Sequence, residues 1–239
     1  MSRPRPLTVA FLALAGVALA AAPLSRPDEP KVVTPGAASE MVAPPSDAVV
    51  LFDGKSLDNW QTMDKKPAPW GLADGAMVIR PGGASIITKQ TFKDFQLHVE
   101  FATPAEPHGD SQERGNSGVY LQGRYEVQVL DSFKNPTYPD GQCGAVYKKH
   151  APLVNACREP GKWQTYDIVF RAARYDAAGK KTENARTTVL HNGVLIQNNA
   201  EIDGTTGVAP LSESAEPGPV YLQDHGNPVK YRNIWIRPL

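Results

Sequence analysis

Cysteine is scarce in this chain, with only Cys143 and Cys157 among 239 residues. Two cysteines exclude a disulfide-built scaffold, and their separation matches no zinc-knuckle spacing. A surplus of charge is also missing, because 25 basic residues face 25 acidic ones. A neutral balance supplies no pull towards nucleic acid or anionic lipid, so no nucleic-acid partner is expected, and an uncharged ligand such as a sugar fits. Long helix-period stretches are absent as well. Their place is taken by turns, with 22 prolines and 20 glycines, and the expectation is an all-β protein. The last shortage is of long apolar runs. One occurs, Leu7 to Ala20, and it is short of the about 20 residues a comfortable membrane span needs.

That run has the layout of an export signal. Arg3 and Arg5 precede it, and Ala18-Leu19-Ala20 supplies a small-x-small cleavage site. Residues 1–22 are therefore read as a signal peptide, with an uncleaved N-terminal anchor as the alternative. The expected location is periplasmic or secreted, with no membrane contact beyond the signal. Residues 23–46 are rich in Pro, Ala, Ser and Glu and hold no aromatic residue. Such a composition cannot offset its ordering entropy, which predicts a disordered tether. One β-sandwich domain is expected over 47–239.

Within that domain the residues alternate. In Gly115–Asp131, GNSGVYLQGRYEVQVLD, Tyr125, Val127 and Val129 point one way while Glu126 and Gln128 point the other. Phe95, Leu97, Val99 and Phe101 alternate in the same way with Gln96, His98 and Glu100. If the two strands share a sheet, their polar rows form one functional face. Asp74-Gly75 and Asn192-Gly193 mark tight hairpins. Val220–Gly226 and Tyr231–Ile236 are expected to close the domain as two strands around a Gly-Asn-Pro turn, with Gln223 and His225 on the same parity of the first. The loop after Asp131 is long enough to be a lid. In an oxidising compartment Cys143 and Cys157 are expected to bridge and staple it, a 15-residue closure worth about 3 kcal/mol.

The stretches LFDGKSLDNW (51–60), GNSGVYLQGRYEVQVLD (115–131), GAVYKKHAP (144–152), GKWQTYDIVF (161–170) and YLQDHGNPVKYRNIWI (221–236) resemble the 3-keto-disaccharide hydrolase family. The resemblance spans nearly the whole domain. It implies a concanavalin A-like jelly-roll β-sandwich and cleavage of glycosides whose glucose unit carries a ketone at C3.

Such a ketone acidifies the C2 proton, and the aglycone at C1 can then leave by elimination before water adds back. The route needs a base, an oxyanion stabiliser and a proton donor. Glu126 is the candidate base, His225 the candidate acid or second base, and Glu100 a further catalytic carboxylate. Gln128, Asn116, Arg114, Tyr120, Asp131, Tyr147, Gln223 and Arg232 are candidates for holding the ligand. A divalent metal is a possible electrophile, with His98, Glu100, Glu126 and His225 as suitable ligand types. Two alternatives stay open: a non-catalytic carbohydrate-binding module, and a conventional glycosidase using Glu100 with Glu126, or Glu126 with Asp131. A structural reading of Glu126, as the ion-pair partner of Arg124 or Arg232, also remains open.

Overall fold

Alternating strands bury one row each, so two stacked sheets put their apolar rows together and their polar rows on opposite outer faces. The computed structural model describes Met1, 29–37 and 42–239, and there this is what the chain does. The expected signal peptide lies outside the described residues, apart from Met1. The strands in chain order are β1 (Lys31–Val32), β2 (Val49–Phe52), β3 (Trp60–Gln61), β4 (Gly71–Ala73), β5 (Ala76–Val78) and β6 (Ile86–Thr88). They continue as β7 (Phe95–Ala102), β8 (Ser117–Leu121), β9 (Tyr125–Val129), β10 (Val154–Asn155), β11 (Gln164–Arg171) and β12 (Arg174–Tyr175). The last five are β13 (Lys181–Glu183), β14 (Ala185–His191), β15 (Val194–Ile202), β16 (Tyr221–Leu222) and β17 (Lys230–Pro238).

One sheet has the order β15-β14-β11-β7-β17-β5-β4, with β2 also paired to β17; the other has the order β3-β6-β16-β8-β9. The expected hairpins form, with both central residues at positive φ as a type I′ turn requires: Asp74 52° and Gly75 72°, Asn192 54° and Gly193 78°. Phe95, Leu97, Val99 and Phe101 of β7 share one core with Tyr125, Val127 and Val129 of β9. Two polar contacts cross that core. Tyr231 Oη lies 2.7 Å from Ser117 Oγ, and Tyr166 Oη donates to the Gln128 carbonyl at 2.6 Å.

Three sequence expectations change here. The rows on β7 and β9 do not share a sheet, since each strand buries its apolar row against the other. The two C-terminal strands do not pair with each other, because β16 enters the five-stranded sheet and β17 the larger one. The segment read as a tether is not free where it is described. β1 pairs in parallel with β10, Val33 N–H donates to Asn155 O at 2.9 Å, and Arg158 Nη2 donates to Gly36 O at 3.1 Å. Backbone groups satisfied this way offset the ordering entropy that its composition cannot. Among the described residues no helix is long and apolar enough to cross a membrane.

Candidate active site

The outer face of the five-stranded sheet is built by register. Tyr120 stands opposite Glu126 on one side and Tyr221 on the other, while Gly118 pairs with Gln128 and its carbonyl accepts from Gln223 N–H. Successive same-face residues are two apart, so Gly118, Tyr120, Glu126, Gln128, Tyr221 and Gln223 point to one side. Gly118 is the clearance in this row. A Cβ there would lie 2.5 Å from Glu126 Oε1 and 2.8 Å from Tyr120 Cε2.

Glu126 is 3% exposed, and no cation pairs with it among the described residues. Arg124 is committed to Gln122 Oε1, Ser214 Oγ and the carbonyls of Ser212 and Glu216, and Arg232 to Glu100. The ion-pair reading of Glu126 therefore fails. Burial pushes its carboxyl up to about 7, against a smaller opposing pull from the Tyr120 hydroxyl. The Glu126 charge in turn bears on Tyr120, Tyr138 and Tyr221. Tyr120 and Tyr221 meet edge to face with ring centroids 4.9 Å apart. Tyr138 and Tyr147 share one hydrogen bond between their hydroxyls at 2.8 Å, which leaves one O–H proton for another acceptor. Tyr147 is anchored beside the site by its N–H to the Glu126 carbonyl.

The amides around the carboxyl present acceptors. Gln128 Nε2 donates to Gln112 Oε1 at 3.0 Å, Asn116 Nδ2 to Gln112 O at 2.6 Å, and Gln223 Nε2 to Tyr120 Oη at 3.1 Å. Their carbonyl oxygens, Gln128 Oε1, Asn116 Oδ1 and Gln223 Oε1, are buried with no partner. Unsatisfied buried acceptors are costly, and a ligand rich in hydroxyl donors removes that cost.

The remaining sequence candidates fall elsewhere. Arg114 Nε pairs with Asp131 Oδ2 at 2.7 Å, and Arg114 Nη2 donates to Phe133 O, so this ion pair braces the loop base. Asp131 is thereby occupied, which removes the Glu126–Asp131 glycosidase pair. His225 follows Gln223 by two residues in an exposed turn, and no hydrogen bond brings its ring to Glu126.

Glu100 and Arg232 are corrections. They sit with His98 on the outer face of the larger sheet, across the core from Glu126. Arg232 Nε donates to Glu100 Oε2 at 2.6 Å and Asn233 Nδ2 to Oε1 at 2.9 Å; His98 Nδ1 contacts Asp167 Oδ1 at 2.7 Å. A cavity of about 990 Å³ opens there, walled by Trp163, Trp235 and 32–37 of the N-terminal segment. Despite its size we place the candidate site at Glu126, because this network is internally compensated. Burial works to raise Glu100, yet hydrogen bonds from His98, Asn233 and Arg232 hold it low. Burial likewise opposes a charged His98, which Asp167 and Glu100 nonetheless raise to about 9. His98, Glu100, Glu126 and His225 therefore do not converge as a metal ligand set. Glu100→Gln is expected to destabilise the fold by roughly 3 kcal/mol, as when a buried pair loses one partner, while leaving turnover unchanged. Parallel urea melts and initial rates check this.

Cys143 and Cys157 come together, but as free buried thiols, so the expected bridge is not formed. Sequence reasoning missed Gln112, which gathers two of the site amides, and Tyr221. It also gave Gly118 no role, although a glycine inside a strand signals a close approach.

A two-sheet sandwich with a lone buried carboxylic acid among tyrosines and unpaired amide oxygens is the layout of a carbohydrate-active β-sandwich protein. The chain belongs to the 3-keto-alpha-glucoside-1,2-lyase-like domain family, whose sequence profile matches residues 47–237. It is 24% identical over 243 aligned residues to the 3-keto-disaccharide hydrolase of Bacteroides thetaiotaomicron, covering 80% of this chain and 78% of that one. A candidate glycosyl hydrolase from Parabacteroides distasonis ATCC 8503 superimposes with TM-score 0.79 and 45% identity, over 88% of this chain and 92% of that one. A second from the same organism, at 19% identity and TM-score 0.59 over 81% and 94%, shares the fold. The expected family and the concanavalin A-like jelly-roll sandwich are thus found, as is an enzyme of the hydrolase class.

Proposed function

We propose that this chain cleaves the glycosidic bond of 3-keto-glycosides, 3-keto-disaccharides among them, by elimination and hydration, with Glu126 as the base at C2. The observation that carries the reading is the buried, cation-free Glu126 carboxyl, held at about 7. A base of that pKa is half ionised near neutrality, where proton transfer in both directions is efficient. Ionised Glu126 takes the C2 proton, and the electron pair becomes an enolate on the C3 oxygen. The free hydroxyl proton of the Tyr138–Tyr147 pair is the donor nearest in kind to what that oxyanion needs. Arg232, on the far face, is not available for it.

Collapse of the enolate forms the C1–C2 double bond and breaks C1–O. Protonated Glu126 is then a suitable donor to the departing oxygen. Water adds its hydroxyl at C1, and a proton returns to C2. The unpartnered oxygens of Asn116, Gln128 and Gln223 would accept from sugar hydroxyls. Export through residues 1–22 to the periplasm or medium belongs to the same reading, supported by the charged, apolar and small-residue pattern of that segment.

Incubation with a 3-keto-glucoside in heavy water is expected to release the aglycone and leave deuterium at C2 of the sugar. The unoxidised glucoside is expected to be inert. Release without deuterium at C2 would remove the elimination route. Saturable glycan binding without release from any keto-sugar would favour a binding module.

A further inference from the structure

Away from Glu126, on the inner side of the sheet, Cys143, Cys157 and His191 form a second cluster that the reaction does not use. One ring nitrogen of His191 and the two Sγ atoms all lie within 4.8 Å of one another. All three side chains are buried, with Cys143 2% exposed, Cys157 6% and His191 0%. They come from different parts of the chain: Cys143 from the loop that carries Tyr138 and Tyr147, Cys157 from the segment after β10, and His191 from the end of β14.

The tautomer of His191 follows from its neighbours. Its Nε2 lies 2.8 Å from Gln164 Oε1, and that oxygen also accepts from Arg158 N–H at 3.1 Å and Asn192 Nδ2 at 3.2 Å. Gln164 Oε1 is an acceptor in all three contacts, so Nε2 carries the hydrogen and Nδ1 is a bare lone pair. Nδ1 is buried and has no hydrogen-bond partner. A neutral imidazole whose other nitrogen is fixed by an amide oxygen is the arrangement by which proteins orient histidine for a metal.

We propose that Cys143, Cys157 and His191 Nδ1 bind one Zn²⁺ ion. Zinc bonds of about 2.3 Å to sulfur and 2.0 Å to nitrogen fit between donors this far apart after a small closure. Both thiols lose their protons on binding, so Zn²⁺ and two thiols give a zinc dithiolate and two protons. With neutral His191 the complex carries no net charge, which limits the cost of burying it. Tyr166 Oη lies 3.0 Å from Cys143 Sγ beside the site, its own proton given to the Gln128 carbonyl.

The position gives the ion a structural task. Gly144 N–H donates to the Gln128 carbonyl and Gln128 N–H to Ala145 O, both at 2.9 Å, and Tyr166 Oη reaches the same Gln128 carbonyl. A cross-link at Cys143 therefore fixes the loop directly behind Gln128, two residues along β9 from Glu126. The proposal stands whether or not the substrate is a keto-glycoside.

The test uses the full chain, reduced and stripped of metal, titrated with Zn²⁺ against a chelating dye and separately with Co²⁺. The expected result is uptake of one Zn²⁺ with release of two protons. Co²⁺ is expected to give a thiolate-to-cobalt charge-transfer band that zinc abolishes. Cys143→Ser and Cys157→Ser each lose the band, and metal raises the melting temperature of wild type only. Failure of the reduced wild-type chain to take up zinc overturns the proposal. So does cobalt binding without a thiolate band, which reports surface histidines, and so does isolation of the chain with the cysteines covalently bridged. The wild-type titration decides even if a variant does not fold.

Discussion

Replacing Glu126 with glutamine is expected to lower kcat/KM by about a thousand-fold or more while raising the melting temperature at pH 8. The first effect is the loss of the proposed base, and general-base steps are typically worth about a hundred- to ten-thousand-fold. The second has the opposite sign because the carboxyl is raised in the fold, from an ordinary 4.5 to about 7. Below 4.5 both folded and unfolded states carry the proton, and Glu126 has no pH-linked effect there. As pH climbs from 4.5 towards 7 the unfolded chain ionises while the folded chain keeps its proton, so stability falls with rising pH. Above 7 the folded chain ionises too, and the full cost, at most about 3 kcal/mol, is in place. Glutamine stays neutral throughout and avoids that cost. Thermal melts of both forms should therefore coincide near pH 4.5 and separate progressively, with the variant the more stable above pH 7. A variant no more stable at pH 8 than wild type would mean that the carboxyl is not raised. Unchanged kinetics would take Glu126 out of the mechanism altogether.

Gly118→Ala is expected to reduce kcat/KM by roughly a hundred-fold, by displacing the base rather than removing it. The new methyl would stand 2.5 Å from Glu126 Oε1 and 2.8 Å from Tyr120 Cε2, so both the carboxylate and the ring must move. Gly118 lies inside the β8–β9 ladder, where alanine is an acceptable strand residue, so the fold should survive with a loss of about 1–3 kcal/mol from overpacking. The distinguishing signature is kinetic. A displaced base lowers kcat and leaves the acid limb of the pH profile in place or moved, whereas Glu126→Gln abolishes that limb. Full activity in a folded Gly118→Ala chain would show that the Glu126 position tolerates displacement and does not set the rate.

The fold was legible from sequence because its determinants are local. Phe95–Phe101 and Tyr125–Val129 announce their burial by alternation alone, and Asp74-Gly75 and Asn192-Gly193 announce their turns by the positive φ those residues accept. Glu126 and Gln128 were legible for the same reason, as the polar row of an amphipathic strand. What alternation does not carry is the identity of the facing sheet. Glu100 and Arg232 have the same pattern as Glu126, and only the pairing of β7 with β11 and β17 sends them to the far side. Arg114 and Asp131 were placed near the site but not seen to be paired, since an ion pair across 17 residues leaves no periodic trace. The cysteines were expected to bridge on compartment grounds. Their proximity was right, and the chemical state in the structure differs.

The order of strands has one more consequence, for how the molecule comes into being. β16 lies between β6 and β8, and β17 between β5 and β7. Each sheet is thus completed in its middle by one of the last two strands of the domain. Until Lys230–Pro238 emerges from the ribosome, β7 and β5 have no common neighbour, and until Tyr221–Leu222 emerges, β8 is paired only with β9. Non-local pairing of this kind delays folding until both of these late strands have been made. A chain stopped short of β16 lacks β17 as well and presents both sheets split into halves with open edges, a species prone to aggregate. Glu126 therefore gains its full surroundings in one late, concerted step, and a partly made chain has no working fraction of the enzyme.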